Sequence, residues 1–496
     1  MSSLPPQLQI DPFPKMGTMK IQTVVLEPQL ASSNFVRFVL ERRGILASDS
    51  IITFSLTIPD GQSACLPLGT GIASVVRNCT LRLGNQIITR TQDWAHYRTA
   101  VDAFTNTATR SRIDYQTRGT CSVYGPSPQT DGRIALQNVT YDRAHGELTT
   151  TPAIADGGVT SRPRHEHDLK NKPIFSLRLN ELFPALGSMQ LPLGHMEDNM
   201  VIELELHEQK TNEVGVRTIP SGFPLGVRAS QPATVNTAEV TMLADYLNYS
   251  AATHEEMDDR INGAQGMFFP WHEVVTILGQ YPASAAVGAV NQVIEQPVTQ
   301  ELALVGRQVR DVLCVDSLTE DRGMASFSKG SVSLYGIYAA HCPIITPHTQ
   351  VKVNDLNVYP RPLDTISQKI AETENVFRAP LAVPRPLYTR MVNPVTGSYS
   401  MAIDNIPYAI GGLTSGNVLT QAMGTPQNCQ GFNYLEGIPL LTNPLQGVGT
   451  TIIDKPILFT RDLQRTYYDQ AGHTTRYFCS VSKAFSLRNG MVSVAV

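Results

Sequence analysis

The chain of 496 residues is 42% hydrophobic and only 17% charged, which excludes a disordered chain and provides for sizeable cores. A net charge of −4 and a sequence pI of about 6.3 exclude a strongly basic nucleic-acid coat, but not a shell that encloses nucleic acid. The 36 glycines and 33 prolines imply many turns and argue against long helices.

The first segment, residues 1–20, carries Pro5, Pro6, Pro12 and Pro14 and reads as an extended arm. It lacks the apolar stretch of a signal peptide, and nowhere does an 18-residue apolar run suggest a transmembrane helix. Strand signals follow at once. Phe35–Leu40 and Ser50–Ile58 are rich in β-branched and aromatic residues, and Pro59-Asp60-Gly61 makes a turn. Val75–Ile88 reads as two strands around Gly84-Asn85. Trp94, Tyr97, Val101 and Phe104 recur at three to four residues, so a short helix is expected there.

Residues 105–170 are polar and rich in Thr, Arg, Ser and Gly, and read as a long excursion between strands, with room for a few short strands of its own. Further strands are expected at Ile174–Leu179, at the cleanly alternating Met200–Leu206, and at Glu239–Tyr246. A helix is expected over 251–262, with Thr253 as N-cap, Glu256 completing a capping box, and Gly263 ending it. The β pattern restarts at Met267–Leu278. Residues 379–450 read as a second long loop, rich in Pro and Gly. At the end, Arg476–Val481 and Met491–Val496 flank Asn489-Gly490, the strongest two-residue hairpin signal.

The second half repeats the first. Asp49–Leu56 is echoed by Asp311–Leu318, and Leu81–Ile88 by Val351–Val358. Each of the latter blocks runs through a polar, helical stretch to a Phe, at Phe104 and Phe377. The echoes keep their order, as a duplicated β domain with loop insertions would. The expected division is an arm at 1–20, a first sandwich at 21–250, a helical linker at 251–266 and a second sandwich at 267–496.

A search for chemistry finds no catalytic constellation. Gly411–Gly416 is glycine-rich but lacks the Lys and helix of a phosphate cradle. His165 and His167 would share a face on a strand, but no third ligand is visible and cations flank them, so a charged loop is expected rather than a metal site. His254-Glu255-Glu256 is not a His-Glu-x-x-His motif, because residue 258 is Asp. No Gly-x-Ser-x-Gly elbow exists. The seven cysteines, Cys65, Cys79, Cys121, Cys314, Cys342, Cys429 and Cys479, form no CxxC pair and are expected as free thiols. Asn78, Asn138 and Asn248 match the short glycosylation pattern, which is not specific enough to predict glycans. Trp94 and Trp271, the two tryptophans, are expected as core or interface anchors. Catalytic, cofactor-binding and metal residues are therefore expected to be none.

Four segments together resemble the double jelly-roll major capsid proteins of icosahedral DNA viruses, most nearly the polinton-like virus and virophage branch. They are Gly71–Ile88 with Asp93 and Tyr97; Phe175–Phe183 with Leu191-Pro192-Leu193 and the strand to Leu206; Leu243–Tyr246 running into the acidic helix; and the C-terminal strands about Asn489-Gly490. The resemblance implies an all-β chain of two tandem jelly-roll sandwiches with short helices and long loops. It also implies a non-enzymatic capsid building block without cofactor, located in the virion and assembled in the infected cell. Its implied partners are two more copies in a homotrimer, neighbouring capsomers, and penton and minor capsid proteins, with no sequence-specific nucleic-acid binding. Two alternatives stay open: a carbohydrate-binding or glycan-cleaving β-sandwich protein, and a viral minor capsid or spike protein.

Overall fold

The computed structural model describes residues 20–57, 62–65, 71–105, 117–118, 123–124, 174–188, 191–207, 217–220, 234–263, 266–281, 294–318, 348–377, 389–392, 399–403, 406–407, 435–443, 448–465 and 473–495. The arm expected over 1–20 lies outside them except for Lys20, the first residue of a strand.

Eight of the described strands form the backbone of the first unit's two main sheets: β1 (Lys20–Leu26), β2 (Phe35–Val39), β3 (Ile51–Thr57), β4 (Val76–Leu83), β5 (Gln86–Thr91), β6 (Ile174–Arg178), β7 (Met200–Leu206) and β8 (Thr241–Asn248). Between β5 and β6 comes helix α1 (Trp94–Thr105), and after β6 the short helices α2 (Leu179–Leu182) and α3 (Pro184–Ser188). Helix α4 (Ala251–Asn262) follows β8. The strands form two antiparallel sheets, ordered β1-β8-β3-β6 and β2-β7-β4-β5. Alternation explains why they face each other. Along β3, Ile52 and Phe54 are fully buried while Ile51 and Thr53 are half-buried on the outward side. Phe38, Leu81, Trp94, Leu177, Ile202 and Tyr246 join the same core.

The second unit repeats this plan. Its strands are β9 (Met267–Tyr281), β10 (Ile294–Leu302), β11 (Gln308–Leu318), β12 (Thr349–Val353), β13 (Leu356–Asn357), β14 (Leu435–Pro439), β15 (Ile457–Arg465) and β16 (His473–Arg488), with helix α5 (Ile366–Phe377) after β13. The sheet orders are β9-β16-β11-β14 and β10-β15-β12-β13. Each strand thus holds the place of the strand eight earlier in the first unit. The segments that echo one another in the sequence fall on β3 and β11, on the hairpins β4-β5 and β12-β13, and on α1 and α5. A further strand, β17 (Met491–Ala495), pairs with the end of β16.

Several expectations need correction. Ser250, not Thr253, stands at the N-cap of α4, and its side chain makes no cap hydrogen bond, so there is no capping box; the helix itself has the expected span, Ala251–Asn262. Thr253 instead lies within the first turn, with its hydroxyl 3.1 Å from that of Ser250. The segment expected as a loop over 379–450 contains β14, a core strand of the second sandwich, together with pairing strands at Thr389–Val392, Tyr399–Ile403 and Ile406–Pro407. Val123–Tyr124, by contrast, is a short strand of the kind allowed for within the first excursion; it pairs with Gln62–Cys65, which also pairs with Arg217–Pro220. Short strands in glycine- and proline-rich surroundings carry too little alternation to stand out.

Helix α5 lies directly on β14. Glycine makes that approach feasible: a Cβ on Gly437 would come within 3.0 Å of Val376 Cγ2 and 3.1 Å of the Thr373 backbone. The Gly437 amide donates to Thr373 Oγ1 at 2.8 Å.

Candidate functional site

Among the described residues, several charged and titratable side chains lie at the joint between the two units. At one end of each sandwich, short turns connect the strands; at the other, the long excursions leave. The turn ends meet at the hairpin joining β16 and β17. Asn489 and Gly490 there have φ of 51° and 76°, the left-handed geometry that Asn-Gly hairpins need. The Glu197 amide donates to the Gly490 carbonyl at 2.9 Å, and the Asn489 amide to the Ile261 carbonyl at 3.3 Å. A Cβ at residue 490 would sit 2.7 Å from Glu197 Cγ, so the contact requires glycine.

Above this hairpin, the second unit's strands complete the first unit's core. Trp271, Phe485 and Leu487 are buried in it, and Met267, Phe269, Val492 and Val494 pack against it. Phe485 stacks on Phe269 at 4.7 Å between ring centroids and meets Trp271 edge-on at 5.6 Å. Trp94, fully buried in the same core, donates its indole N–H to the Glu181 carbonyl at 3.1 Å. Both tryptophans are therefore anchors, and Trp271 anchors one unit to the other.

Higher along the joint, α1 lies on the outward face of the β9-β16-β11-β14 sheet. Ala100 and Tyr97 pack with Val274, Leu313, Val315, Phe478 and Phe377, and Tyr97 and Phe478 rings are 5.4 Å apart. Asp93 pairs with Arg476 at 3.0 Å with both side chains largely buried. Lys483 and Glu273 form a second shielded pair at 2.5 Å. Glu273 also accepts from the Arg90 amide at 3.3 Å, and the Thr276 hydroxyl donates to the Gln92 carbonyl at 2.9 Å. Contacts 90 to 273 and 92 to 276 advance together. Strands β5 and β9 therefore run in the same direction, and both run from a turn end towards an excursion end. The two sandwiches stand side by side with their excursions emerging on one side.

Titratable groups at the joint are held by burial. Desolvation, helped by the cations Arg476 and Arg77, lowers His207 to about 4. His96 on α1 is held well below the usual histidine range by desolvation, with Arg476 adding to the effect. In the second unit, Lys369, Glu436 and Arg461 are each about 1% exposed. Lys369 lies 3.6 Å from Glu436 and donates to Thr349 Oγ1 at 3.0 Å; burial lowers its pKa despite the carboxylate. Such a sealed pair ties α5 to the sheet and is closed to any substrate.

The structure also unites residues far apart in sequence. His195 Nδ1 lies 2.6 Å from Asp258 Oδ1, and His195 Nε2 lies 3.2 Å from His254 Nδ1, which pins α4 to the first unit. Nothing in the spacing of these residues announces the cluster. Glu255, Glu256 and Asp259 point to solvent. His165, His167, Asn138 and Gly411–Gly416 lie outside the described residues. Among the described residues no three His, Cys, Asp or Glu side chains gather as metal ligands, and no helix is long and apolar enough to cross a membrane. Cys79, Cys314 and Cys479 are buried free thiols, and burial pushes Cys79 and Cys479 up. Asn78 is buried and its amide donates to Glu205, which leaves no room for a glycan.

No protein-family model and no curated protein matches the sequence. Solved structures do match. The VP54 crystal structure from PBCV-1, fitted into a reconstruction of the virophage Sputnik, aligns with 98% of this chain and 98% of its own, with a TM-score of 0.54 at 9% identity. A quasi-atomic model of the PBCV-1 virus capsid aligns over 98% of each chain at TM-score 0.53 and 10% identity. The cryo-EM structure of the Sputnik virophage aligns with all of this chain and 93% of its own, at TM-score 0.51 and 9% identity. The chain has the double jelly-roll fold. At such low identity the shared property is the path of the backbone through both sandwiches, not any particular side chain.

Proposed function

We propose that this protein is the major capsid protein of an icosahedral virus, a structural component without enzymatic activity. Three copies would form a pseudo-hexagonal capsomer, and capsomers together with penton and minor capsid proteins would tile a shell around double-stranded DNA. The observation that carries the reading is the match over nearly the full length of both units to a virus-capsid structure. Two physical arguments support it. The sandwiches stand side by side with their excursions on one side, so three chains about an axis present six similar barrels with a common outer surface. Among the described residues, the buried charged groups tie elements together, as Lys369 and Glu436 tie α5 to its sheet. A net charge of −4 suits a wall that encloses nucleic acid without gripping it by sequence.

On the same reading, residues 1–20 are an arm, 21–250 and 267–496 are the two barrels, and 251–266 is the linker. The protein belongs in the virion and assembles in the infected cell. An obligate interface of this kind buries more than about 2,000 Å². The purified chain should elute as a particle about three times its 54.3 kDa mass by light scattering coupled to size exclusion, with little monomer at micromolar concentration. A clean monomer there sinks the capsomer reading. The carbohydrate-binding alternative gains no specific support from the described residues.

A further inference from the structure

We infer that His195 and His254 form a binding site for one divalent transition-metal ion such as zinc, which clasps helix α4 to the first unit. The site is independent of the capsid reading.

Three side chains from two elements converge here. His195 ends the short turn of helix Leu193–His195 that follows Pro192. His254 and Asp258 stand four residues apart on α4 and so share one face of it. The His195 side chain is only 8% exposed, and its Nδ1 lies 2.6 Å from Asp258 Oδ1. A carboxylate accepts and does not donate, so that nitrogen carries the ring proton and Nε2 presents a lone pair. The lone pair faces His254 Nδ1 at 3.2 Å. Two nitrogens bound to one tetrahedral zinc at roughly 2.0–2.1 Å stand about 3.3 Å apart. The spacing of the two rings matches that edge. With the His254 proton on Nε2, a small turn of the ring aims both lone pairs at one ion. A carboxylate behind a ligating histidine is the partner that fixes tautomer and ring orientation in metal sites, and Asp258 already holds that place. The same spacing permits a direct N–H···N bond, which keeps the rings in register when no ion is bound.

Charge favours a cation. Helix α4 carries Glu255, Glu256, Asp258 and Asp259 against Arg260, and Arg260 is committed to Glu256 at 2.7 Å. The Arg42 guanidinium is drawn away to the carbonyls of Met196 and Glu197. Imidazole nitrogens select zinc, nickel or copper over calcium or magnesium, which prefer oxygen. Two protein ligands leave the other positions to water, so the ion exchanges freely. Its effect is to join α4 to the 193–195 turn by bonds stronger than the ring-to-ring contact they replace.

The test uses zinc chloride and the purified, metal-stripped full chain. Titration calorimetry should find one zinc per chain at this site, and the thermal midpoint should climb with zinc until the site is full. His254→Gln should abolish this binding, and Asp258→Asn should weaken it by about 10–100-fold. The Asp258 side chain is 55% exposed, so Asp258→Asn should keep the wild-type circular dichroism spectrum, which makes its zinc affinity a readout separate from folding. Only zinc that these variants lose counts for the site. A chain that takes up no zinc, or binds it equally in both variants, would overturn the inference and leave the two rings as a plain hydrogen bond. Neither result touches the capsomer reading, which stands or falls on the light-scattering mass.

Discussion

His207 closes β7 at the joint, where burial holds its imidazole at about 4 against an ordinary value near 6.5. In the unfolded chain it takes up a proton as pH falls through 6.5; in the folded chain it does not until about 4. Its contribution to stability is therefore complete above 6.5 and is lost as pH falls towards 4. From pH 7 to 5 that single group costs about 2 kcal/mol, and His96, lowered by the same burial, acts in the same direction. The expected result is a urea midpoint that drops across this window and drops less in a His207→Gln variant. An equal drop in both would remove His207 from the account. Nothing in the sequence around His207 marks it, because desolvation is a property of what packs over a residue. The same holds for His195, His254 and Asp258, which only the fold brings together. By contrast, Trp94 and Trp271 were legible as anchors, since a large apolar ring in a β-rich chain of low charge has few other places to go.

At the scale of elements, the C-terminal ribbon of β9, β16 and β17 belongs to the second unit by pairing and to the first by burial. One of its faces carries Phe269, Trp271, Phe485 and Val494 into the first core. Phe485→Ala should therefore cost about 3–5 kcal/mol, with faster amide exchange in β7 and β8 of the first unit, although the substitution lies in the second. Unchanged exchange in those strands would show that the core does not run through the ribbon. The elements themselves were largely readable: Met200–Leu206 alternates and is a strand with those very ends, and the Trp94–Phe104 spacing gives α1. The N-cap of α4 was misplaced because Ser250 and Thr253 are both good capping residues, and backbone geometry decides between them. Strand β14 was hidden because Leu435–Pro439 contains Gly437, whose value lies in admitting α5 rather than in β propensity.

For the whole molecule, the joint between the units predicts cooperative unfolding. The first core includes second-unit side chains, and the units are further tied by Asp93–Arg476 and the hairpin at Gly490. Calorimetry should show one main transition spanning both sandwiches, whereas two well-separated transitions would mean that the units fold independently. The sequence by itself determined the all-β class, the twofold repeat and the C-terminal hairpin. Those follow from period-two patterning, turn chemistry and recurrence, which are local and additive. Only the tertiary structure decided that both excursion ends face one way, which outward face α1 covers, and where charge is sealed from water. Those properties depend on residues up to several hundred positions apart, such as Asp93 and Arg476. No local pattern encodes a contact that exists only once the sheets have closed.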